Sequence, residues 1–434
     1  MTIDLHLGYY RFKNLELREK MDLHKIEEKI LSYTSFIDEI GVIIFNGYPF
    51  AFVYPDFNAL KEAKIINIED EIKWYAIELY NMKALEQEKV KGYKILTKPL
   101  VKTKSGEIDK TVLKEFLVSD KNDNISTQDE PSDEVYKILK SYIATLTKKE
   151  ILPSSHLELD LELDSLNYVE LFVFIEESFG VKIDEAAFSK IMKLESLYSY
   201  IKVNAKKIGV VKPEWDELLR EQSSEKLVYS PFIMSLYKTL LYPFFRLYFR
   251  FEVRGIENIS SKACIIAPSH QSMLDGFLIE SALPYKTLKK TFFLAYKQVF
   301  GTKLLKPIAK HGQTILIDAN ENLKETMIYC ALPIRSGNNL VIFPEGARTR
   351  DRELLEFRPY FAMLSKTFKT PIIPVVIDGS FEALRAGMLF PRPRKIRVTF
   401  LEPIEPHSME YGEIVKRVRD AIERELKRSR KEHL

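Results

Sequence analysis

Hydrophobic and polar positions repeat with two different periods along this chain. In the middle, residues 135–146 and 187–201 place apolar side chains every three or four positions, which predicts amphipathic helices. Elsewhere short apolar runs of strand length occur, separated by helical patterns after residue 227. These runs are 40–45, 49–54, 263–267, 291–295, 314–317, 340–343, 372–377 and 395–401. The pattern predicts a helical bundle between two units that contain both strands and helices.

Two polar stretches separate these units. Residues 119–132 are rich in Asp, Ser and Asn, and residues 206–226 have mixed polar character without a clear period. The predicted domains are therefore 1–118, 132–205 and 227–434. We expect a multidomain fold: a small α+β subdomain, a four-helix bundle and an α/β domain with a mixed sheet.

The amino-acid composition indicates the cell compartment and the kinds of site to expect. The chain has 434 residues, of which 46% are hydrophobic and 29% charged, a globular balance. Its two cysteines, Cys264 and Cys330, lack ligand-like spacing, so we expect a reducing compartment and no metal site. We also expect no secretory signal, no transmembrane helix and no nucleic-acid partner. Attachment to a membrane would then be peripheral.

Charge is unevenly distributed. Residues 129–205 contain 15 acidic and 8 basic residues, which leaves about +10 for the rest of a chain whose net charge is +3. Within this acidic module, Asp164-Ser165-Leu166 opens the central predicted helix. Such a pair is also a common helix cap. With its helical flanks, however, the module resembles an acyl carrier domain over about 70 residues.

That resemblance implies phosphopantetheine on Ser165, attached by a phosphopantetheinyl transferase. It also implies that the acidic helix, with Glu170, Glu176 and Glu177, docks on basic patches of partner enzymes. The family usually has a glycine two residues before the aspartate, where this chain has Glu162.

A histidine and a carboxylate follow the predicted strand 263–267. Pro268 ends this strand, and a helix is predicted to begin near Ser272, capped by Ser269 or Ser272. His270 and Asp275 are five positions apart, so they meet only if His270 lies in the turn and Asp275 in the first helical turn. The carboxylate would then hold one ring nitrogen while the other accepts a proton from a hydroxyl.

A second loop leaves the predicted strand 340–343. Its sequence, Phe-Pro-Glu-Gly-Ala-Arg-Thr-Arg from residue 343, combines a carboxylate, a glycine and two guanidinium groups. Arginine presents a fork of donors that matches phosphate oxygens, although surface ion pairing would also explain the arginines. The loop indicates recognition of a phosphorylated alcohol.

In order and spacing, Ser-His-(four residues)-Asp, Phe-Pro-Glu-Gly-Ala-Arg and Ile-Pro-Val resemble the glycerophospholipid acyltransferases of the lysophosphatidic acid type, over about 200 residues. The resemblance implies that His270 is the general base and that Asp275 orients it. It implies that Glu345, Gly346 and Arg348 help to bind the acceptor, and that Pro374 shapes the acyl side.

Two positions depart from that family. Ala319 stands where an arginine of the phosphate site is common, and Tyr360 stands where a glycine is usual. The acceptor is therefore left open between a 1-acylglycerol-3-phosphate, a lysophospholipid with a larger head group and another lipid alcohol. The aromatic stretch 229–251 predicts either an interfacial helix pair at a membrane surface or burial against the sheet.

The first 118 residues resemble the small C-terminal subdomain of adenylate-forming enzymes. Arg11 and Lys13 match its hinge, but Glu107 stands at the position of its catalytic lysine, and the large subdomain that holds ATP is absent. A carboxylate cannot stabilise the negative charge that develops during adenylation. We expect no adenylation by this chain alone, and the domain could be vestigial or truncated.

The sequence thus predicts acyl transfer from a phosphopantetheine or coenzyme A thioester to a lysophospholipid hydroxyl, in the cytoplasm at the inner membrane surface. One alternative is the carrier-presenting half of a split acyl-activating enzyme, with a separate adenylation subunit as partner. Another is a non-catalytic lipid-binding scaffold.

Overall fold

The computed structural model describes residues 21–118, 130–211, 213–259, 262–297, 306–317, 323–349, 352–385, 388 and 390–431. The chain divides into two compact units, the first ending at residue 212 and the second beginning at residue 213. Several positions discussed above lie outside the described residues. They are Arg11, Lys13, most of the linker 119–132, Ala319 and Arg350.

The first unit begins with a three-stranded sheet. Its strands are β1 (Ile37–Phe45), β2 (Tyr48–Pro55) and β3 (Gly92–Ile95). β1 and β2 form an antiparallel hairpin, and β3 pairs with β2 in parallel. The hairpin turn is Asn46-Gly47, and both residues have positive φ, at 48° and 79°. That conformation matches the right-handed twist of the strands, which explains why Asn-Gly lies between the two apolar runs.

Helices pack on this sheet. They are α1 (Leu23–Leu31), α2 (Phe57–Glu62), α3 (Ile68–Ile72), α4 (Glu78–Lys83) and α5 (Lys110–Val118). A π-helical turn, Lys73–Ile77, joins α3 to α4. Isoleucines from α1, β1 and α3 form the main apolar cluster of this part. Glu107 is exposed, in a turn between the paired residues Lys102 and Ile108.

The carrier-like region contains four helices. They are α6 (Glu134–Leu146), α7 (Ser165–Phe179), α8 (Glu185–Phe188) and α9 (Leu194–Asn204). Helix α8 has a single turn, yet its Phe188 is fully buried and meets the rings of Tyr168 and Phe172 from α7 at 4.8 Å. Aromatic packing of this kind holds the short helix against the central one.

A seven-stranded mixed sheet forms the second unit. Its strands are β4 (Glu252–Arg254), β5 (Ile265–Pro268), β6 (Thr291–Tyr296), β7 (Thr314–Ile317), β8 (Asn339–Val341), β9 (Ile372–Asp378) and β10 (Arg397–Phe400). The spatial order is β4-β10-β9-β5-β8-β6-β7. Strands β9, β5, β8, β6 and β7 are mutually parallel, whereas β10 runs antiparallel to β9. The mixed sheet predicted from the sequence is confirmed.

Helices surround the sheet of the second unit. They are α10 (Trp215–Leu218), α11 (Pro231–Tyr248), α12 (Asp275–Ala282), α13 (Tyr285–Leu288), α14 (Lys306–His311), α15 (Leu323–Arg335), α16 (Tyr360–Phe368), α17 (Ser380–Ala383) and α18 (Tyr411–Lys431). The predicted helix pair in the aromatic stretch is wrong, because α11 continues through Pro243 as one helix. Within the described residues, no helix is long and apolar enough to cross a membrane.

Cys264 and Cys330 are both buried and free. Burial raises the pKa of each thiol to about 12, because a thiolate in an apolar surrounding loses its hydration.

Candidate functional site

Two loops of the second unit meet because their strands are neighbours. β5 and β8 pair in parallel, so their carboxyl ends reach the same edge of the sheet. The loop after β5 carries His270, and the loop after β8 carries Glu345. Crevices at this edge of α/β sheets are where such folds generally place ligands.

His270 and Asp275 are in contact. Nδ1 of His270 lies 3.0 Å from Oδ2 of Asp275. Asp275 is the first residue of α12, and His270 lies in the preceding turn, which is the geometry that the five-residue spacing requires. The sequence predicts a start near Ser272 with Ser269 or Ser272 as cap, whereas the helix begins at Asp275 without a side-chain cap. The Ser272 hydroxyl accepts the Leu274 N–H and donates to the Leu384 carbonyl, so it serves the turn instead.

Asp275 is fully buried. The same Oδ2 accepts the N–H groups of Gln271 at 2.6 Å and Ser272 at 2.7 Å. Buried carboxylates are costly unless they are hydrogen-bonded, and these two N–H groups offset part of that cost. Asp275 therefore fixes the turn and the imidazole at once.

The main chain of His270 is clamped by the loop after β8. Its N–H donates to Oε1 of Glu345 at 2.8 Å, and its carbonyl accepts the N–H of Thr349 at 2.9 Å. The ring lies 4.1 Å from the ring of Phe343, centroid to centroid. Phe343 and Thr349 belong to the loop quoted from the sequence, but neither of them was assigned a role there. Their only signal was their position at the two ends of the Pro-Glu-Gly-Ala-Arg run.

Glu345 is buried, and both of its carboxylate oxygens are engaged. Besides the His270 N–H on Oε1, Oε2 accepts the N–H of Leu355 at 2.9 Å. Burial raises the pKa of Glu345 to about 7, although these two hydrogen bonds lower it. In this structure the carboxylate joins two loops of the protein, which differs from the acceptor contact expected from the sequence.

The remaining predicted residues have different surroundings. Gly346 has a φ of 65°, so it occupies the left-handed region that glycine adopts at least cost. Arg348 follows two residues later and is half-buried. Pro374 is buried in β9, in register with Ala267 of β5. The first two lie in the loop that clamps His270, whereas Pro374 lies within the sheet.

This arrangement defines the proton chemistry available to His270. Asp275 offers only an acceptor, so Nδ1 carries the hydrogen in the neutral ring and the lone pair lies on Nε2. The His270 side chain is 20% exposed, whereas the Asp275 side chain has no exposure. The pair can accept a proton from a hydroxyl that approaches Nε2.

In the first unit, Ser165 is the first residue of α7 and is half-buried. The helix cap is supplied by Asp164, whose side chain accepts the N–H groups of Leu166 and Asn167 at 2.9 Å each. The Asn167 side chain accepts the Asp164 N–H in return, which completes a capping box. Capping therefore does not require the Ser165 hydroxyl, which fits attachment of a prosthetic group there.

Two segments of the chain match known protein families. Residues 250–378 match the Acyltransferase family, and residues 137–201 match the Phosphopantetheine attachment site family. The chain therefore combines a segment similar to the Acyltransferase family with a segment similar to the Phosphopantetheine attachment site family. The fusion of these two parts, predicted from the sequence, is confirmed.

Individual relatives are similar over part of this chain. A 1-acyl-sn-glycerol-3-phosphate acyltransferase from Limnanthes douglasii is 30% identical over 189 residues, which are 42% of this chain and 64% of that protein. A probable enzyme of the same name from Mycoplasma pneumoniae is 29% identical over 161 residues, 35% of this chain and 60% of that protein. This chain thus spans less than two thirds of the length of either relative.

A solved structure gives a weaker likeness. The crystal structure of the 1-acyl-sn-glycerophosphate acyltransferase PlsC from Thermotoga maritima aligns with 46% of this chain and 79% of its own, at 20% identity and a TM-score of 0.40. A TM-score this low does not establish a shared fold.

Proposed function

We propose that this chain transfers a fatty acyl group from a thioester to the hydroxyl of a lysophospholipid or 1-acylglycerol-3-phosphate, in phospholipid biosynthesis. The contact of His270 with the fully buried Asp275 is the observation that carries this proposal. The acyltransferase names of the similar proteins support the choice of reaction.

In the proposed reaction, His270 acts as general base. Its Nε2 takes the proton of the acceptor hydroxyl while the oxygen attacks the thioester carbonyl carbon. Asp275 stabilises the imidazolium that forms. When the carbon–sulfur bond breaks, the sulfur leaves with the bonding electron pair and receives the proton from Nε2. His270 is then ready for another turnover.

The donor thioester has two sources with the same chemistry. Phosphopantetheine, when attached to Ser165, supplies a thiol that carries the acyl group, and coenzyme A supplies the same thiol in free form. The half-exposed position of Ser165 at the start of α7, with the cap provided by Asp164, supports modification there.

We assign the acceptor to the loop after β8. Arg348 supplies charge for a phosphate, and Gly346 lets the loop turn close to it. Pro374 is assigned to the acyl side of the site. Glu345 positions His270 through its main chain, a role supported by its two backbone hydrogen bonds.

Replacing the base tests the proposal. His270→Ala should reduce acyl transfer to a lysophospholipid by about 10²–10⁴, because a positioned base contributes that much. His407→Ala provides a matched control, since its side chain is 73% exposed. Acyl transfer is measured from acyl coenzyme A with each purified variant. Unchanged transfer by His270→Ala would exclude the proposed base.

Intact mass tests the carrier. Co-expression with a phosphopantetheinyl transferase should add one phosphopantetheine to the chain, and Ser165→Ala should abolish this gain. Ser199→Ala, an exposed serine on α9, should leave it unchanged. A mass gain that survives Ser165→Ala contradicts the assignment. Comparing acyl-loaded chain with acyl coenzyme A then identifies the better donor.

We further propose that α11 holds the protein at the cytoplasmic surface of the inner membrane. Five of its exposed side chains form one apolar stripe, spaced three or four residues apart. They are Phe232, Leu236, Leu240, Phe244 and Leu247. An apolar stripe of this kind inserts between lipid head groups when a helix lies in the interface.

Vesicle binding tests the stripe. Phe232→Ser with Leu247→Ser removes two of its most exposed side chains, which are 77% and 84% exposed. This variant should lose most of its binding to vesicles of phosphatidylglycerol and phosphatidylethanolamine. Val203→Ser, an equally exposed apolar residue in the carrier region, is the matched control. Equal binding of the unaltered protein, the double variant and the Val203→Ser control would contradict a membrane role for α11.

A further inference from the structure

The loop before Ser165 reaches out of the carrier region to the first domain of the same unit. Glu158 lies in this loop and is 9% exposed. Its Oε2 accepts the N–H of Ile68, and its Oε1 accepts the N–H of Glu69, each at 2.9 Å. These two N–H groups belong to the first turn of α3, about 90 residues earlier in the chain.

Helix α3 receives its cap from this distant residue. The first N–H groups of any helix have no partner within it. The preceding residue, Asn67, makes no side-chain capping bond here, whereas Glu158 satisfies two of the N–H groups. Burial raises the pKa of Glu158 to about 8, although the hydrogen bonds from Glu69 and Ile68 lower it, so the group caps the helix through its oxygens rather than through a full negative charge. Glu158 thus does for α3 what a local capping residue usually does.

Apolar and polar contacts surround this carboxylate. Leu159 packs against the main apolar cluster of the first domain. The imidazole of His156 lies 5.7 Å from the ring of Phe57, centroid to centroid. At the exposed rim, Thr97 donates to Asp160 at 3.3 Å. Four of five consecutive carrier residues therefore meet the first domain.

The same loop is tied firmly to the carrier region. His156 donates its N–H to Asp160 at 2.8 Å and accepts the N–H groups of Asp160 and Leu161 on its carbonyl. Leu157 donates to the Met192 carbonyl at 2.8 Å. A contact made by this loop is consequently transmitted to the helices of the carrier, since the loop cannot move alone.

We propose that the first domain is a docking platform that holds the carrier in a fixed position, with Glu158 as the anchor. This role requires no ATP-binding subdomain and no catalytic lysine at Glu107. The docked carrier keeps Ser165 half-exposed, seven residues after the anchor, so modification and docking are compatible. The proposal does not depend on the acyltransferase assignment.

Amide hydrogen exchange of the full chain tests the platform. The N–H groups of Ile68 and Glu69 should be protected in the unaltered protein, because Glu158 accepts both. Glu158→Ala should raise their exchange roughly tenfold or more, since each loses its acceptor. Glu162→Gln alters an exposed glutamate of the same loop and should leave this exchange unchanged.

A second variant separates docking from folding. Leu159→Ser disturbs the contact through a half-buried residue while leaving Glu158 in place, and it should raise the same exchange. Protection of Leu171 and Phe174 in the centre of α7 reports whether the carrier is still folded. With that protection retained, fast exchange at Ile68 and Glu69 in both variants supports the platform. Exchange that is already fast in the unaltered chain, or that neither variant changes, overturns it.

Discussion

Glu162 shows how one residue can depart from a family pattern and still adopt its conformation. Its φ is 56°, in the left-handed region where glycine is favoured. The carrier resemblance places a glycine at this position. The sequence therefore revealed the departure, and the backbone explains why glycine is common there: a side chain at this φ costs energy.

Glu162→Gly should consequently stabilise the carrier region by about 0.5–1 kcal/mol. The strain energy that glycine removes from the folded state is larger than the entropy cost of fixing a more flexible residue on folding. The lost ion pair with Lys149 matters little, because both side chains are at least half exposed. Urea unfolding measures the change. Glu162→Ala keeps the strain and should give no gain, so equal stabilisation by both variants would contradict this explanation.

Glu345 couples the stability of the second unit to pH. Burial raises its folded pKa to about 7, from an ordinary value of 4.5. A carboxyl group with a raised pKa contributes stability that is complete below pH 4.5 and is lost as the pH rises through 7. The loss is on the order of 3 kcal/mol.

Glu345→Gln should remove this dependence because glutamine does not titrate. The difference in unfolding free energy, unaltered protein minus variant, should decrease as the pH rises from 5 to 8. Urea unfolding at several pH values measures it, and other titrating groups cancel in the difference. A constant difference across this range would show that Glu345 keeps an ordinary pKa.

At the scale of single elements, the helix that carries Asp275 is fixed at both ends. Its first residue holds the turn around His270. At its other end, Nζ of Lys238 from α11 donates to the carbonyls of Ser281 and Leu283, each at 2.6 Å. A cation that pairs with unsatisfied carbonyls also complements the helix dipole. Helix α11 therefore both exposes an apolar stripe and supports the candidate site.

Lys238→Met should destabilise the second unit by about 2–3 kcal/mol, since two buried carbonyls lose a charged donor. The variant would also leave the buried carboxyl group of Glu280 without a nearby cation. Burial raises the pKa of Glu280 to about 8, and the Lys238 ammonium group lowers it. Urea unfolding measures the effect, with exposed Lys286→Met as control. A change below about 0.5 kcal/mol would mean that water replaces the ammonium group.

For the whole molecule, local sequence patterns predict the individual helices, strands and turns better than they predict the contacts between distant segments. The spacing of His270 and Asp275 placed them correctly, because both belong to one turn and one helix. The partners of Glu345 depend on β5 and β8 being neighbours, and strand order is not contained in either strand's own pattern. The cap from Glu158 to α3 joins residues about 90 positions apart, so no local signal could reveal it.

The two deeply buried cysteines have a practical consequence. A thiol reagent attacks the thiolate, and burial keeps Cys264 and Cys330 in the unreactive protonated form. In the folded chain, the thiol at the end of a phosphopantetheine arm on Ser165 would then be the group that such a reagent labels. A maleimide dye would report directly whether the arm is free or acylated, without altering any native residue.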